Sequence, residues 1–301
     1  MTAQRKLRVG LALGSGSARG WAHIGVIRAL EEAGVCPDLV CGTSIGALVG
    51  AAYAAGELER LESWVLGLQI GDVVGFADVS LSAGLLKGDR LMQFFRNHFV
   101  DRPLEHLQVP FAAVATSLQT GEEVWLRSGS TLDAVRASIA LPGIFTPVRR
   151  EGLLLVDGGL ANPIPVSLAR AMGADIVIAV DLGSDILGRR FRTVEAPEAT
   201  PSQPPWMLRL REHISSLSPE PSREEPPMPS MMDVLSTSMD IVQVKIARSR
   251  LAGDPPEVLV TPQLARLRLF DFHRAKEAIE EGRLAVHRVA HSLAVLNDEA
   301  T

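Results

Sequence analysis

The chain is 301 residues long, 47% hydrophobic and 22% charged, with 30 basic against 35 acidic side chains and a net charge of −5. That apolar content excludes disorder for the chain as a whole, and the mildly acidic balance with only 5% aromatics provides neither the basic footprint nor the stacking surface of a nucleic-acid binder. The two cysteines, Cys36 and Cys41, rule out a disulfide scaffold or a cysteine-built zinc site and suit a reducing compartment.

The run Val9–Leu13 is short, apolar and followed by glycines, the signature of a buried strand. It is too short for the core of a secretion signal, and no stretch reaches the length of a membrane-spanning helix. Trp21–Ala33 places Ile24, Ile27 and Leu30 at helical spacing and stops at Gly34. Leu39–Cys41 reads as a second strand, and the small residues of Ile45–Ala55 suit a helix packed closely on a sheet. Phe111–Ala115 and Val124–Leu126 flank a Gln119-Thr120-Gly121 turn and predict a hairpin. Leu153–Val156 and Ile176–Val180 are further buried strands, with Val166–Met172 as the helix between them. This alternation predicts an α/β sheet with helices on both faces over residues 7–182.

Residues 183–230 carry nine of the nineteen prolines and read as a flexible insert. Within it Trp206–Arg211 has a short basic amphipathic pattern, expected to lie on the protein's own surface, with membrane docking as the alternative. From 231 to 297 helical patterns return. Met232, Leu235, Met239, Val242 and Ile246 form one stripe, read as core or subunit packing. Val258–Val260 and Arg274–Leu296 are a late strand and a closing helix, completing the first domain.

Three motifs carry chemistry. Gly42-Thr43-Ser44-Ile45-Gly46 is a G-x-S-x-G between a strand and a helix, the context in which a sharp turn exposes a serine at a helix N-terminus. Gly14-Ser15-Gly16-Ser17-Ala18-Arg19-Gly20 follows the first strand. It misses the dinucleotide fingerprint by one position and lacks the lysine of a phosphate-binding loop, so an oxyanion-stabilising loop fits better. Asp157-Gly158-Gly159 follows a buried strand, at the sheet edge where open α/β sheets place their sites; alone it also reads as a simple turn. None of the seven histidines sits in a small-residue turn after a strand. His23, His213, His287 and His291 read as surface or helix-face residues, and His273 is the one candidate for a triad.

Together these motifs resemble the patatin-like phospholipase family of the neuropathy-target-esterase type. The stretches LALGSGSARGWAHIGVI, VCGTSIGALVGAAYA, ADIVIAVDL and AGDPPEVLV resemble its bacterial RssA-like subgroup. The resemblance implies a three-layer α/β/α, mostly parallel sheet and a Ser–Asp dyad, with Ser44 as nucleophile and Asp157 as base. It implies oxyanion donors at Gly16, Ser17 and Ala18, and a basic position at Arg19 that orders the loop or meets a substrate phosphate. Gly42, Gly46, Gly158 and Gly159 complete the motifs. The loop departs from the family's glycines at Ser15 and Ser17, where side chains restrict the backbone.

The activity implied is hydrolysis of lipid or (lyso)phospholipid carboxyl esters through an acyl-enzyme, without cofactor or metal. The alternatives are a general carboxylesterase or thioesterase with the same dyad, or a regulatory or binding protein with little activity. A dyad of this kind predicts no essential titration near the histidine range. Trp64, Leu66, Leu68, Phe76, Leu85, Leu86, Phe94, Phe95 and Phe99 are expected to form the acyl-chain cleft. Ser138, Pro142 and Gly143, in SIALPGIFTP, are expected to border the site in a structural role. A cytoplasmic protein is expected, with peripheral contact at the inner membrane face through the cleft rim or the arginine-bearing insert.

Overall fold

The computed structural model describes residues 7–75, 89–98, 101–186 and 231–294. Most of the proline-rich insert, with its Trp206–Arg211 piece, lies outside the described residues, as do Phe76, Leu85, Leu86 and Phe99.

The strands are β1 Val9–Leu13, β2 Leu39–Thr43, β3 Phe111–Ser117, β4 Glu123–Leu126, β5 Val148–Arg150, β6 Leu153–Asp157, β7 Ile176–Val180 and β8 Val258–Val260. They form one sheet along the path β5-β6-β3-β2-β1-β7-β8, with β4 also paired to β3. Strands β8, β7, β1, β2 and β3 are mutually parallel, whereas β4 and β6 run antiparallel to β3. The short edge strand β5 is not signalled by its sequence, Val148-Arg149-Arg150, which is partly exposed.

The helices are α1 Ala22–Glu32, α2 Ile45–Ala54, α3 Leu58–Gly67, α4 Ile70–Gly75, α5 Asp89–His98, α6 Thr131–Ser138, α7 Val166–Ala171, α8 Met231–Gly253 and α9 Ala275–Arg288. Because side chains alternate across a strand, the central strands feed two cores. Leu11, Leu13, Val40, Phe111, Ala113, Ile178 and Val180 face the layer containing α1, α2, α3, α6 and α9. Ala12, Leu39, Cys41, Ala112, Val114, Val177 and Ala179 face α7 and α8. Both faces being covered, these strands read as continuous apolar runs rather than alternating ones. Helix α9 lies against α1 at a crossing without room for side chains: a Cβ on Gly25 would sit 1.8 Å from Ile279 O, and one on Gly282 2.0 Å from Ala22 O.

On helix α8 the stripe read as core or subunit packing is only partly covered within the chain, and the side chain of Met232 lies outside the described residues. Among the described residues of the helix, Asp240, Val244 and Ala247 are buried. Leu235 and Val242 are exposed, Ile246 is half-buried, and Met239 faces a cavity described below. The buried face of the helix carries a polar residue, Asp240, which pairs there with Arg19. No helix among the described residues is long and apolar enough to cross a membrane.

Candidate active site

Strand β2 ends at Thr43 and α2 begins at Ile45, so Ser44 alone makes the turn, at φ 57° and ψ −125°. Positive φ is costly for a residue with a side chain, and such strain persists where the surroundings fix it. Here the Ser44 N–H donates to Ser138 Oγ at 2.8 Å, and Ser138 Oγ donates to Val114 O at 2.6 Å. The turn also requires close backbone approach: a Cβ on Gly46 would lie 2.3 Å from Leu13 O.

Asp157 reaches Ser44 through the register of β3. Strand β2 pairs with β3 as far as Thr43↔Val114, and the next rung, Ala115, pairs with Asp157 of β6. Since β4 occupies the opposite edge of β3 at Ala113–Thr116, β6 takes up the same edge where β2 leaves it. The C-terminal ends of β2 and β6 therefore meet head to head. Ser44 Oγ donates to Asp157 Oδ2 at 2.5 Å. Asp157 Oδ1 accepts the Gly159 N–H at 2.7 Å, and the Asp157 carbonyl accepts Thr116 Oγ1 at 2.8 Å. The carboxyl group is fully buried, and this desolvation pushes its pKa up to about 6 although the bonds from Ser44 and Gly159 oppose the shift. A carboxylate so placed can accept the serine proton near neutral pH.

The loop after β1 is held at nearly every residue. Gly14 N–H donates to Val180 O, Ser15 N–H to Pro163 O, and Ser15 Oγ to Gln243 Oε1. Ser17, at φ 51°, is fixed by a 2.7 Å bond from its Oγ to Leu269 O. Ala18 N–H donates to Leu269 O at 3.2 Å, and Arg19 N–H to Gly16 O at 3.2 Å. Of the loop's amides, those of Gly16 and Ser17 have no partner among the described residues, so the free donors narrow to these two. The Arg19 guanidinium is buried, bonded to Gly16 O and paired with Asp240, an arrangement that holds the loop.

His23 departs from the surface reading: it is fully buried, and its Nε2 donates to Gly14 O at 2.8 Å. Burial drives its pKa down to about 4, so the ring is a neutral brace for the loop. Helical periodicity carries no signal for this, because a core histidine and a surface one look alike in sequence. His273 is exposed, and the hydrogen bond of Ser44 Oγ goes to Asp157.

The family model described as patatin-like phospholipase matches residues 11–170, a span that holds all three motifs. The chain belongs to the patatin-like phospholipase family. It is 33% identical over 338 aligned residues to an uncharacterised NTE family protein of Mycobacterium bovis, covering 97% of this chain and 94% of the relative. An NTE family protein of Mycobacterium tuberculosis is 31% identical over 284 residues, covering 92% of this chain and 45% of the relative. The mouse patatin-like phospholipase domain-containing protein 6 is 38% identical over 184 residues, which are 58% of this chain and 14% of that protein. Among solved structures, VipD from Legionella pneumophila superposes with a TM-score of 0.45 at 13% identity, over 96% of this chain and 67% of that one.

In this patatin-like chain Ser44 opens into a cavity of about 440 Å³. Of the residues expected in the cleft, Trp64, Leu68 and Phe95 line it, whereas Leu66 is 51% exposed on the protein surface. The side chain of Phe94 lies outside the described residues. The wall is completed by segments that the sequence reading left out or placed only at its border. Ile139, Leu141, Ile144 and Phe145 follow α6, Leu269, Phe270 and Phe272 precede α9, and Met239 projects from α8. The cluster Leu267–Phe272, apolar at four of six positions just before the last helix, is the signal that could have revealed the second of these. Trp21, Trp64, Phe95 and Phe272, all lining the cavity, pack edge to face.

Proposed function

We propose that this patatin-like protein is a serine hydrolase that cleaves carboxyl esters of lipids or (lyso)phospholipids through an acyl-enzyme. The observation that carries the reading is the 2.5 Å bond from Ser44 Oγ to the raised-pKa carboxylate of Asp157, beside an apolar cavity of about 440 Å³. A cavity of that size and character suits an acyl chain.

In the first step Asp157 Oδ2 takes the Ser44 hydroxyl proton as Oγ bonds to the ester carbonyl carbon. The negative charge on the former carbonyl oxygen is met by the free N–H groups of Gly16 and Ser17 and by the N-terminal end of α2. Collapse of the tetrahedral species breaks the ester C–O bond, and the proton held by Asp157 passes to the departing alcohol. Water then attacks the acyl-Ser44 ester, again giving its proton to Asp157, and the fatty acid leaves with Ser44 restored.

The test is labelling by a fluorophosphonate probe alongside hydrolysis of a series of acyl esters on p-nitrophenol, glycerol, lysophosphatidylcholine and CoA. Labelling and ester hydrolysis, both lost in Ser44→Ala and the hydrolysis lost in Asp157→Asn, are expected. Folded wild-type protein that neither labels nor hydrolyses any ester would overturn the reading in favour of a binding role.

A further inference from the structure

The patatin family match ends at residue 170, yet two side chains from α8 reach back onto the glycine-rich loop. Asp240 and Gln243 stand three residues apart, on one face of the helix. Asp240 Oδ1 pairs with Arg19 Nη2 at 2.7 Å, both side chains being buried. Gln243 Oε1 accepts Ser15 Oγ at 3.0 Å. The amide end of Gln243 also abuts the aspartate turn, since a Cβ on Gly159 would fall 2.6 Å from its Nε2. One helix thus touches the loop and the Asp157 turn together.

The Asp240–Arg19 pair has a directional consequence. Arg19 holds Gly16 O twice, through its backbone N–H and its Nε, each at 3.2 Å. A peptide unit is planar and trans, so fixing the Gly16 carbonyl fixes the Ser17 N–H pointing the opposite way. Gly16 and Ser17 line the Ser44 cavity, as do Asp240 and Gln243, whereas Arg19 does not, and the Ser17 N–H, trans to the held carbonyl, points away from Arg19. Without Asp240 the buried guanidinium would lose its ion-pair partner and keep only the charge of the neighbouring Asp181, loosening its hold on the Gly16 peptide.

We propose that Asp240 and Gln243 are positioning residues of the oxyanion loop, with Asp240 setting the direction of the Ser17 donor through Arg19. The proposal rests on the hydrolase reading above. It makes α8, which follows the proline-rich insert, a working part of the site rather than a packing element.

The experiment compares wild type with Asp240→Asn, Gln243→Leu and the paired apolar replacement Arg19→Met/Asp240→Leu. The double variant keeps the fold accessible, because apolar residues of similar volume commonly replace a buried ion pair without loss of stability. On a p-nitrophenyl ester the double variant is expected to lose about 100-fold in kcat, the scale of losing one oxyanion donor, with KM changed less than about threefold. Asp240→Asn and Gln243→Leu are expected to fall between it and wild type. Affinity for an acyl trifluoromethyl ketone, which forms a tetrahedral adduct on Ser44, should drop by the same factor as kcat/KM. Affinity for the matching unreactive ether should change far less, because it makes no oxyanion and meets Asp240 only as part of the cavity wall. A folded double variant with wild-type kcat, or equal loss of affinity for ketone and ether, overturns the proposal. Ser44→Ala is the control that separates the two readings: if it remains active the hydrolase mechanism fails, and if it is dead while the double variant is fully active only the positioning role fails.

Discussion

The hydroxyl of Ser138 accepts the backbone N–H of Ser44 at 2.8 Å while donating to Val114 O at 2.6 Å. It therefore ties the strained serine turn to the strand whose next residue, Ala115, pairs with Asp157. Ser138→Ala leaves a buried carbonyl and the Ser44 amide unpaired, at a cost of about 1–3 kcal/mol for such a loss. Thermal melts should show that destabilisation, and kcat should fall about tenfold as Ser44 drifts from Asp157, with KM little changed. A variant with wild-type kcat would mean that the turn is held without Ser138.

Burial of Asp157 places the acid limb of activity. With its pKa pushed up to about 6, kcat/KM should rise with pH through about 6 as the carboxyl group loses its proton, and flatten above. The sequence alone predicts no essential titration near the histidine range; the burial of Asp157 predicts one there, carried by a carboxyl group. The rise should survive in His273→Ala. A limb that disappears in that variant would assign the titration to the histidine.

Two buried groups act oppositely on stability across the same pH window. The folded state raises the Asp157 pKa from 3.8 to about 6, so between those values it holds a proton that the unfolded chain has lost, and stability falls as pH rises. His23 is lowered from 6.5 to about 4, so there the unfolded chain holds the extra proton, and stability falls as pH drops. Each amounts to about 3 kcal/mol at about 1.4 kcal/mol per pKa unit, and in the wild type they largely offset. Asp157→Asn leaves the histidine effect alone. Its Tm should exceed that of wild type at pH 8 and converge on it towards pH 4; parallel profiles would show that Asp157 is not desolvated.

The same two residues show how far the sequence carries. Strands β1, β2, β3 and β7 are legible because both their faces are buried and the apolar runs are continuous. The serine turn is legible because Gly42 and Gly46 flank it. That Asp157 lies beside Ser44, 113 residues away, is legible only through the family resemblance, since it depends on β6 taking the edge of β3 that β2 vacates. Hydropathy likewise does not show which face of α8 turns towards the sheet: that face carries an aspartate, and an aspartate scores as outward unless its partner, Arg19 from the other end of the chain, is known. His23 is hidden for the same reason, as its brace to Gly14 O is a tertiary contact.

Two glycines of the site should respond differently to alanine. A Cβ on Gly46 would meet backbone, 2.3 Å from Leu13 O and 2.7 Å from Gly14 O, and neither strand nor loop can yield without losing its pairing. Gly46→Ala should cost about 1–3 kcal/mol or more by overpacking, visible as a lower Tm and reduced soluble yield. A Cβ on Gly159 meets chiefly the amide end of Gln243, at 2.6 Å, which can swing aside by side-chain rotation. Gly159→Ala should therefore keep a nearly native Tm while lowering kcat, because the displaced Gln243 releases Ser15 and the added methyl lies 3.0 Å from Asp157 Oδ1. Equal Tm losses in the two variants would show that Gln243 is as immovable as backbone.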